Sequence, residues 1–396
     1  MTAGTEKYIL VVNGGSSSLK FSLYHTKSLY AELSGQVNHI GSKGSYMEIS
    51  RKDKVIFSNS SDTYKTLADG VKALVDWLTA NGHHLSIEAI GHRLVQGGPQ
   101  HREPEVITDD LLQSLHQYIY LAPNHLPQEI KTILTFREAF PDLPQVACFD
   151  TSFHRHLPSY TKNYPLPKEY QQKGLMRYGF HGLSYEYIMQ SLLEKDPAAS
   201  AQKIIIAHLG NGASMAAVVN GISVDTTMGL SPAGGLVMGT RAGDLDPGVI
   251  LFLLKEAKLS ATKLDEVLNK ESGLKAIAGT SDMQELLKNE AQDPAAEEAL
   301  KVFCYQAKKF IGALAAGMGG LDTLVFTGGI GEHSTLIRER ICENLGFMGI
   351  RINKRSNQAM KEVISSRASK VSIRMMKTSE EYMIAQHTQH IINRHK

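Results

Sequence analysis

Short apolar segments and helical patterns alternate along the whole chain. The apolar run at residues 8–12 passes through a glycine- and serine-rich stretch into residues 19–24, where apolar and polar positions alternate. This pattern predicts two strands joined by a tight turn. A helix that ends at residues 81–82 is predicted next by apolar residues at helical spacing: Leu67, Val71, Leu74, Val75 and Leu78.

Two further strands are predicted to end beside polar residues. Residues 89–95 are apolar apart from His92 and Arg93 and lead into a glycine turn, and residues 144–149 are apolar apart from Gln145 and end at Asp150. Helical patterns at about 109–119 and 127–140 lie between these strands. Strands that alternate with helices in this way predict an α/β protein.

The opening pattern returns half a chain later. Residues 204–209 predict a strand, 210–214 a turn and 215–219 a second strand. Gly212 lies 197 positions after Gly15, and Ser214 lies 197 positions after Ser17. A strand at 324–327 then leads through a third glycine turn into a helix with Ile337, Ile341 and Leu345 on one face. The repeat predicts a duplicated fold with two facing lobes.

Composition excludes several classes of protein. The 396 residues suffice for two or three domains, and 42 basic and 40 acidic residues without like-charge blocks disfavour nucleic-acid binding. Cys148, Cys304 and Cys342 lie far apart, which argues against a disulfide scaffold and for a reducing compartment. The sequence shows no signal-peptide pattern and no run of 18 apolar residues, so we expect a cytoplasmic protein without membrane contact.

The three glycine turns predict a ligand that carries phosphate. Successive backbone N–H groups without a Cβ can surround an anion, and three such turns in one chain indicate a polyphosphate. The P-loop and dinucleotide patterns are both absent, as are H-E-x-x-H and G-x-S-x-G. The remaining interpretation is a nucleotide held between two lobes by hairpin turns.

Six motifs in family order resemble those of the acetate kinase family. They are residues 12–20, 149–154, 177–182, 208–214, 239–244 and 327–332. The family is similar to actin, Hsp70 and sugar kinases. The resemblance implies a duplicated actin-like ATPase fold of the ribonuclease H-like class, with two lobes and a nucleotide cleft. The first lobe would span 1–150 and be completed by a C-terminal helix at about 380–396, and the nucleotide-binding lobe would span 151–380.

The reaction implied by the resemblance is reversible phosphoryl transfer between ATP and a short carboxylate. This reaction brings two anions together, so it needs cations and positioning more than covalent chemistry. Arg93, at the end of a buried strand, can hold a carboxylate bidentately and is the substrate-binding arginine by resemblance. The alternative is an ion pair with an acidic loop residue.

His181 and Arg241 each lie in a glycine-flanked turn, and by resemblance they stabilise the phosphoryl group in transfer. The alternative for His181 is packing against neighbouring aromatic rings, and that for Arg241 is a cap or a bridge to Asp244 or Asp246. Asp150 is by resemblance the third catalytic residue, as proton donor or acceptor. Because a carboxylate nucleophile is already ionised, orienting Arg93 or holding Mg²⁺ through water is physically easier, and capping of the next turn is the alternative.

Asn13 and Glu380 are the Mg²⁺ ligands by resemblance, and Mn²⁺ could replace Mg²⁺. An amide and a carboxylate oxygen suit Mg²⁺ when water and phosphate complete the coordination shell. Thr378 and Glu381 also have the spacing of a capping box, which predicts a helix start at the same place. Both interpretations hold together if Glu381 closes the cap and Glu380 faces the metal.

The resemblance also supplies residues for the nucleotide and the acyl group. The nucleotide set departs from the family at Gln284, where arginine is usual, and comprises Lys20, His208, Leu209, Gly210, Asn211, Gly212, Asp282, Met283, Gln284, Gly328, Gly329, Ile330, Gly331 and Glu332. The substrate set joins Val95, His125, Phe180 and Pro232 to Arg93. Asn124 and the small residues 233–235 depart from the usual pocket, which makes propionate or butyrate possible substrates.

We therefore expect an acetate kinase that forms acetyl phosphate and ADP from acetate and ATP in a homodimer. Two alternatives remain open at this point. One is a propionate or butyrate kinase of the same family, and the other is a nucleotide-switched binding protein of the actin or Hsp70 kind.

Overall fold

The computed structural model describes residues 6–15, 18–60, 64–83 and 86–394, so Ser16 and Ser17 of the first predicted turn lie outside the described residues. The strands are β1 (Tyr8–Gly14), β2 (Ser18–His25), β3 (Ala31–Asn38), β4 (Tyr46–Arg51), β5 (Lys54–Ser60), β6 (Ile87–Leu94), β7 (Glu105–Val106), β8 (Gln145–Phe149), β9 (Lys203–Leu209), β10 (Ala213–Val219), β11 (Ile222–Thr226), β12 (Thr323–Thr327) and β13 (Ser372–Met375).

Helices lie between the strands and after the last of them. They are α1 (Leu67–Ala80), α2 (Asp109–Gln117), α3 (Leu126–Ala139), α4 (Ser159–Lys162), α5 (Lys168–Gln172), α6 (Gly182–Lys195), α7 (Pro247–Lys255), α8 (Ala261–Glu266), α9 (Gly273–Ala278), α10 (Met283–Asn289), α11 (Pro294–Met318), α12 (Gly328–His333), α13 (Thr335–Cys342), α14 (Lys354–Gln358) and α15 (Glu380–Arg394). In the part of the chain that the structure describes, no helix is long and apolar enough to span a membrane.

Two sheets repeat one strand arrangement. The larger has the order β5-β4-β3-β2-β1-β6-β8-β7 and the smaller β11-β10-β9-β12-β13. In each, an antiparallel hairpin, β1–β2 or β9–β10, is followed by two strands parallel to its first strand, β6 and β8 or β12 and β13. The duplicated pattern inferred from the glycine turns is therefore present in the strand topology.

The described residues divide into two compact units. The first comprises those of Met1–Ser152 and Ser379–Lys396, and the second comprises Phe153–Thr378. In the first unit α1 and α3 cover the sheet face that carries Leu10 and Ile90. Helix α15 packs against β1, β6 and β8 on the opposite face, where glycine at position 91 leaves room for Ile384 and Thr388.

The second unit has its own core. Buried side chains of α6 pack against β9 and β10, and α11 also packs against these two strands. The predicted helix after the third glycine turn is shorter than its apolar spacing suggests. Ser334 caps α13, which ends at Cys342, so that the buried Leu345 lies outside the helix.

Candidate active site

In the first unit, the arginine at the end of β6 is bound by the aspartate that follows β8. Arg93 Nε donates to Asp150 Oδ1 at 3.1 Å, and Nη2 donates to Asp150 Oδ2. The parallel register of the two strands places Arg93 opposite Cys148 and thus brings the two side chains to the same sheet edge. Asp150 is 1% exposed, whereas the Arg93 side chain keeps 20% of its surface. The arginine therefore retains an open face while one carboxylate holds it.

A second carboxylate approaches the same guanidinium. Glu380, the first residue of α15, places Oε2 3.4 Å from Arg93 Nε. Burial lowers the pKa of the Arg93 guanidinium, but the negative charges of Asp150 and Glu380 raise it by more, so that the pKa is raised overall. Burial raises the pKa of Glu380, while Arg93 and Lys20 oppose that rise. Two carboxylates thus share the one guanidinium of Arg93, which suits Glu380 to receive a further cation.

Helix α15 does not begin as the capping-box pattern predicts. Ser379 Oγ accepts the N–H of Tyr382 at 3.4 Å, so Ser379 occupies the cap position and Glu380 starts the helix. Thr378 has other partners, because its N–H donates to Glu332 and its hydroxyl donates to Ser184. The prediction that Thr378 and Glu381 form the cap is wrong, and Glu380 is not needed for it.

Asn13 and Lys20 lie opposite each other on β1 and β2. Lys20 lines a cavity of about 250 Å³ with Glu381, Glu48 and other polar side chains. Asn13 and Glu380 offer an amide and a carboxylate oxygen in the same unit, a donor set that fits Mg²⁺. Within the described ranges, no group of three or more His, Cys, Asp or Glu is arranged to hold a metal.

Glu129 is a buried acid in this unit that the sequence analysis missed. It lies in the first turn of α3, and both carboxylate oxygens accept the N–H of Val95, at 3.2 and 3.1 Å. Burial raises the pKa of Glu129 to about 8, against the opposing effect of Arg93. His125, a predicted substrate residue, precedes α3 at its N-cap position and is half-buried. Val95 is buried immediately after β6.

In the second unit, His181 lies at the N-terminus of α6 in a strained backbone conformation. Its φ is +58°, which residues with a Cβ rarely adopt. Nδ1 lies 2.8 Å from Ser214 Oγ, and that hydroxyl also bonds Tyr185. The ring stacks on His208 with centroids 4.3 Å apart. These contacts hold the imidazole in one orientation, and Ser214 and Tyr185 are supporting residues that the sequence did not reveal.

The side chains of His181 and Arg241 both lie beside the glycine turn between β9 and β10. A Cβ added to Gly212 would lie 3.3 Å from His181 Nε2 and 3.6 Å from Arg241 Nη1. The missing Cβ therefore leaves space beside two nitrogen donors. The structure thus brings together the two residues predicted to contact a phosphoryl group.

Arg241 is positioned by main-chain contacts. Nη1 donates to the carbonyl of Pro232 at 3.1 Å. The two aspartates considered as alternative partners accept backbone N–H groups, Asp244 from Gly235 and Asp246 from Gly248. Pro232, a predicted wall of the acyl pocket, therefore also fixes the predicted phosphoryl-binding arginine.

Phe180, the other acyl-pocket residue of this unit, is 1% exposed. The Phe180 carbonyl lies 3.2 Å from Nε2 of His154, whose Nδ1 lies 2.8 Å from Ser223 Oγ. Burial lowers the pKa of His154 to about 4, so this ring is neutral at pH 7. His154 therefore has a structural position beside Phe180.

The predicted nucleotide residues of the second unit form two groups. Asn211, Asp282, Met283, Gln284, Gly329 and Ile330 line one cavity of about 690 Å³ together with Ser281, Leu287, His333 and Ser334. Asp282 also caps α10, since Oδ1 accepts the N–H groups of Gln284 and Glu285. Gln284, where the resemblance predicts arginine, therefore lies at the wall of this cavity.

The second group joins the ends of β9 and β12. Gly210 N–H donates to Gly212 O at 3.0 Å, and His208 Nδ1 lies 2.8 Å from Ser184 Oγ. Gly328 has φ +76°, and a Cβ there would lie 2.8 Å from the carbonyl oxygen of Leu209. The two glycine turns can therefore lie side by side only because position 328 lacks a side chain.

The glycine turn after β12 is held by two buried charged residues. Glu332 Oε1 accepts from Gly328 N–H at 3.0 Å and from Thr378 N–H at 3.1 Å. Arg338 is fully buried and donates to the carbonyls of Gly331 and Glu332 at 2.7 and 2.8 Å. Arg338, on α13, was not found from the sequence because its partners are main-chain carbonyls and the side chain of Asn357, 19 residues away.

A duplicated α/β fold with glycine turns beside oriented histidine and arginine side chains defines a nucleotide-dependent phosphotransferase of the actin-like class. A sequence model of the Acetokinase family matches residues 8–386. An acetate kinase of Methylocella silvestris is 40% identical over 400 residues, covering 96% of each chain. The chain belongs to the Acetokinase family.

Solved structures show the same relationship. A propionate kinase from Francisella tularensis superposes with a TM-score of 0.93 and 37% identity, covering 97% of this chain and all of the other. An acetate kinase from Porphyromonas gingivalis gives a TM-score of 0.89 and 36% identity, covering 98% of this chain and all of the other. The predicted family and fold class are confirmed.

Proposed function

We propose that this chain is an acetate kinase, which transfers the γ-phosphoryl group of ATP reversibly to acetate. An acetate oxygen bonds to the γ-phosphorus as the bond to the bridging oxygen of ADP breaks, and acetyl phosphate results. The observation that carries the proposal is Arg93, held by Asp150 at the end of β6 with part of its surface open. Such a guanidinium can receive a second carboxylate.

The nucleophile needs no general base, since acetate is ionised at neutral pH. Asp150 is paired with Arg93 and almost fully buried. Its proposed role is therefore to fix the plane of the guanidinium, which sets the direction of the substrate carboxylate. Val95, Phe180 and Pro232 are the proposed apolar surroundings of the methyl group, and His125 is a proposed polar contact.

His181 and Arg241 would donate to the phosphoryl oxygens beside Gly212. Negative charge on these oxygens must be stabilised as the two anions approach, and donors oriented in advance do so without reorganisation. The bonds of His181 to Ser214 and of Arg241 to Pro232 supply that orientation.

The remaining nucleotide residues are proposed to bind ATP and ADP. Lys20 would contact phosphate from the first unit, and the cavity lined by Asn211, Gln284 and Ile330 would receive the nucleoside end. Asn13 and Glu380 would hold Mg²⁺, or Mn²⁺ in its place. When bound, the divalent ion neutralises charge on the nucleotide phosphates.

The decisive experiment is a substrate panel. Purified enzyme is given Mg²⁺-ATP with acetate, propionate or butyrate, and acyl phosphate is trapped as hydroxamate, with matched reactions that lack Mg²⁺. We expect acetate to give the highest kcat/KM and product to require the metal. No hydroxamate with any of the three acids would contradict the proposal.

Propionate is the second candidate substrate because the propionate kinase of Francisella tularensis is so similar in structure. The acetate kinase name of the Methylocella silvestris relative favours acetate. A higher kcat/KM for propionate or butyrate in the same panel would reverse the choice. Membership of the family disfavours a nucleotide-switched binding protein, which has no need of Arg93, His181 and Arg241.

We further propose a homodimer that works in the cytoplasm. Helix α7 is apolar around its circumference, yet it buries no residue within this chain. Val249, Leu251, Phe252 and Leu254 are all exposed, a pattern typical of a surface covered by a partner. The three cysteines are unpaired and buried, which suits a reducing compartment.

Light scattering after size exclusion tests the dimer. We expect twice the chain mass for the wild type and a shift towards the monomer for Phe252→Glu. Tyr160→Glu, which changes another exposed aromatic residue, is the matched control and should leave the mass unchanged. A wild-type monomer would contradict this proposal.

A further inference from the structure

We propose that Glu129 is a positioning residue that determines which carboxylic acid the enzyme accepts, because it fixes Val95 relative to Arg93. The inference rests on the proposed function and assigns a role to a residue outside the predicted site.

Three tethers hold residues 93–95. The Arg93 side chain is bound by Asp150, and the Leu94 carbonyl accepts the N–H of Asp150 at 2.8 Å. The N–H of Val95 donates to both carboxylate oxygens of Glu129, at 3.2 and 3.1 Å. The segment is therefore fixed both where it carries the cation and where it carries the apolar side chain.

The third tether comes from another element. The last strand residue of β6 is Leu94, so the N–H of Val95 lies beyond the ladder, and a buried N–H needs an acceptor. Helix α3 supplies it, because its first turn places Glu129, 5% exposed, at this N–H. Without that acceptor, no hydrogen bond from α3 would fix the main chain at Val95.

A fixed distance between Arg93 and Val95 matters for the choice of substrate. When the substrate carboxylate binds Arg93, the position of Val95 limits the length of the acyl chain. One methylene group changes discrimination about 10- to 200-fold in a well-formed apolar pocket. A wall that can shift by one carbon–carbon bond length would lose that discrimination.

The experiment compares kcat/KM for acetate with kcat/KM for propionate, and the ratio of the two is the readout. Glu129→Leu fills the volume but offers no acceptor, and we expect the ratio to fall at least about 10-fold. Glu129→Gln keeps an acceptor oxygen and should hold the ratio within about 2-fold. Glu138→Ala, on an exposed position of the same helix, is the control and should leave it unchanged.

Two further readouts separate positioning from a loss of structure. The KM for Mg²⁺-ATP should stay within about 2-fold in every variant, since the cavity proposed for the nucleoside end lies in the other unit and Glu129 is not among the proposed phosphate or Mg²⁺ contacts. Val95→Ala should lower the ratio by itself, and adding Glu129→Leu to it should lower the ratio no further, because both act through one wall.

An unchanged ratio in Glu129→Leu, or an equal fall in Glu129→Gln, would overturn the inference. If Glu129→Leu does not fold, Glu129→Asp decides, because its shorter side chain keeps the carboxyl group but withdraws it from Val95. The ratio must then fall in Glu129→Asp and not in Glu129→Gln. A wild type that phosphorylates none of the acids contradicts the proposed function, whereas an active wild type with insensitive variants contradicts only this inference.

Discussion

The guanidinium of Arg93 has to remain available to a substrate while two carboxylates of its own chain approach it. Asp150 engages Nε and Nη2, and Glu380 lies 3.4 Å from Nε. The two carboxylates together outnumber the single positive charge. We therefore expect a divalent cation at Glu380 to favour the binding of substrate at Arg93, since it neutralises one of these competitors.

Removing the carboxylate of Asp150 should reduce the use of acetate far more than the binding of nucleotide. In Asp150→Ala the buried end of Arg93 loses its partner, and the guanidinium loses its orientation. We expect kcat/KM for acetate to fall at least about 100-fold and the KM for ATP to change little. Steady-state kinetics measure both, with the exposed Asp142→Ala as control, and a selective loss of ATP binding would contradict the assignment.

Glu129 gives a prediction about pH. Burial raises its pKa in the folded protein to about 8, so the folded state holds this proton more tightly than the unfolded chain does. The free energy of unfolding therefore falls by up to about 1.4 kcal/mol per pH unit between about pH 4.5 and 8 on this account. Glu129→Gln cannot titrate, so its melting temperature relative to wild type should rise across this window. A constant difference from pH 5 to 9 would refute the prediction.

At the scale of elements, the sites lie where strands end in glycine turns. Parallel neighbours β9 and β12 end side by side, and Gly328 touches the main chain of Leu209. The hydrogen bonds of Glu332 and Arg338 hold the turn after β12 in place. The loop that is proposed to face the nucleotide thus presents mainly backbone atoms, and the buried charged side chains of Glu332 and Arg338 hold it by hydrogen bonds to its main chain.

Gly328→Ala should disturb this arrangement. The new Cβ would lie 2.8 Å from Leu209 O at a φ of +76°, so both sterics and backbone strain oppose it. We expect a loss of about 1–3 kcal/mol in stability and at least a 10-fold weaker affinity for ADP, measured by thermal melts and calorimetry. Gly329→Ala, where an added Cβ meets no atom within 4 Å, should melt like wild type; equal melting of the two variants would exclude the clash.

Many of the strands, helices and turns could be predicted from the sequence, because glycine turns and apolar periodicity are local signals. Arg93, His181 and Arg241 were singled out because each lies at a strand end or in a glycine-flanked turn, but their roles were predicted through the resemblance to the acetate kinase family. Glu129 was not, since a glutamate in the first turn of a helix looks like an ordinary favourable helix-dipole contact, and its partner Val95 is 34 residues away.

The errors at helix ends have the same origin. Leu345 continues the apolar period of α13 because it is buried, although the helix has ended at Cys342. Thr378 and Ser379 are both good caps by residue type, but contacts with Glu332 and Ser184 engage Thr378. Tertiary partners decide between neighbouring registers, and they are absent from any local pattern.

At the scale of the whole molecule, each unit contains a buried histidine that is neutral at pH 7. His92 lies 2.7 Å from Gln145 in the first unit, and His154 supports Phe180 in the second. Burial lowers the pKa of both side chains to about 4. The contribution of these two histidines to stability should therefore fall in acid, whereas Glu129 acts in the opposite direction in the first unit.

The sign follows from proton uptake. Between about pH 6.5 and 4 these histidines bind a proton in the unfolded chain but not in the folded protein. The contribution of each histidine to the free energy of unfolding is therefore complete above about pH 6.5. It falls as the pH drops through this window, by about 3 kcal/mol for each histidine. Trp77, the single tryptophan, lies in the first unit and reports its urea unfolding. His92→Gln should make the midpoint less dependent on pH between 7 and 4.5, and an identical dependence in variant and wild type would contradict this.

The first unit is formed by two separate parts of the chain, and the second part is synthesised last. Helix α15 covers one face of β1, β6 and β8, yet the ribosome makes it only after the entire second unit. That sheet face stays uncovered for more than two hundred residues of synthesis, so a nascent chain can complete its inserted second unit long before the first. Truncation before residue 380 should leave an apolar surface bare and make the product a substrate for chaperones.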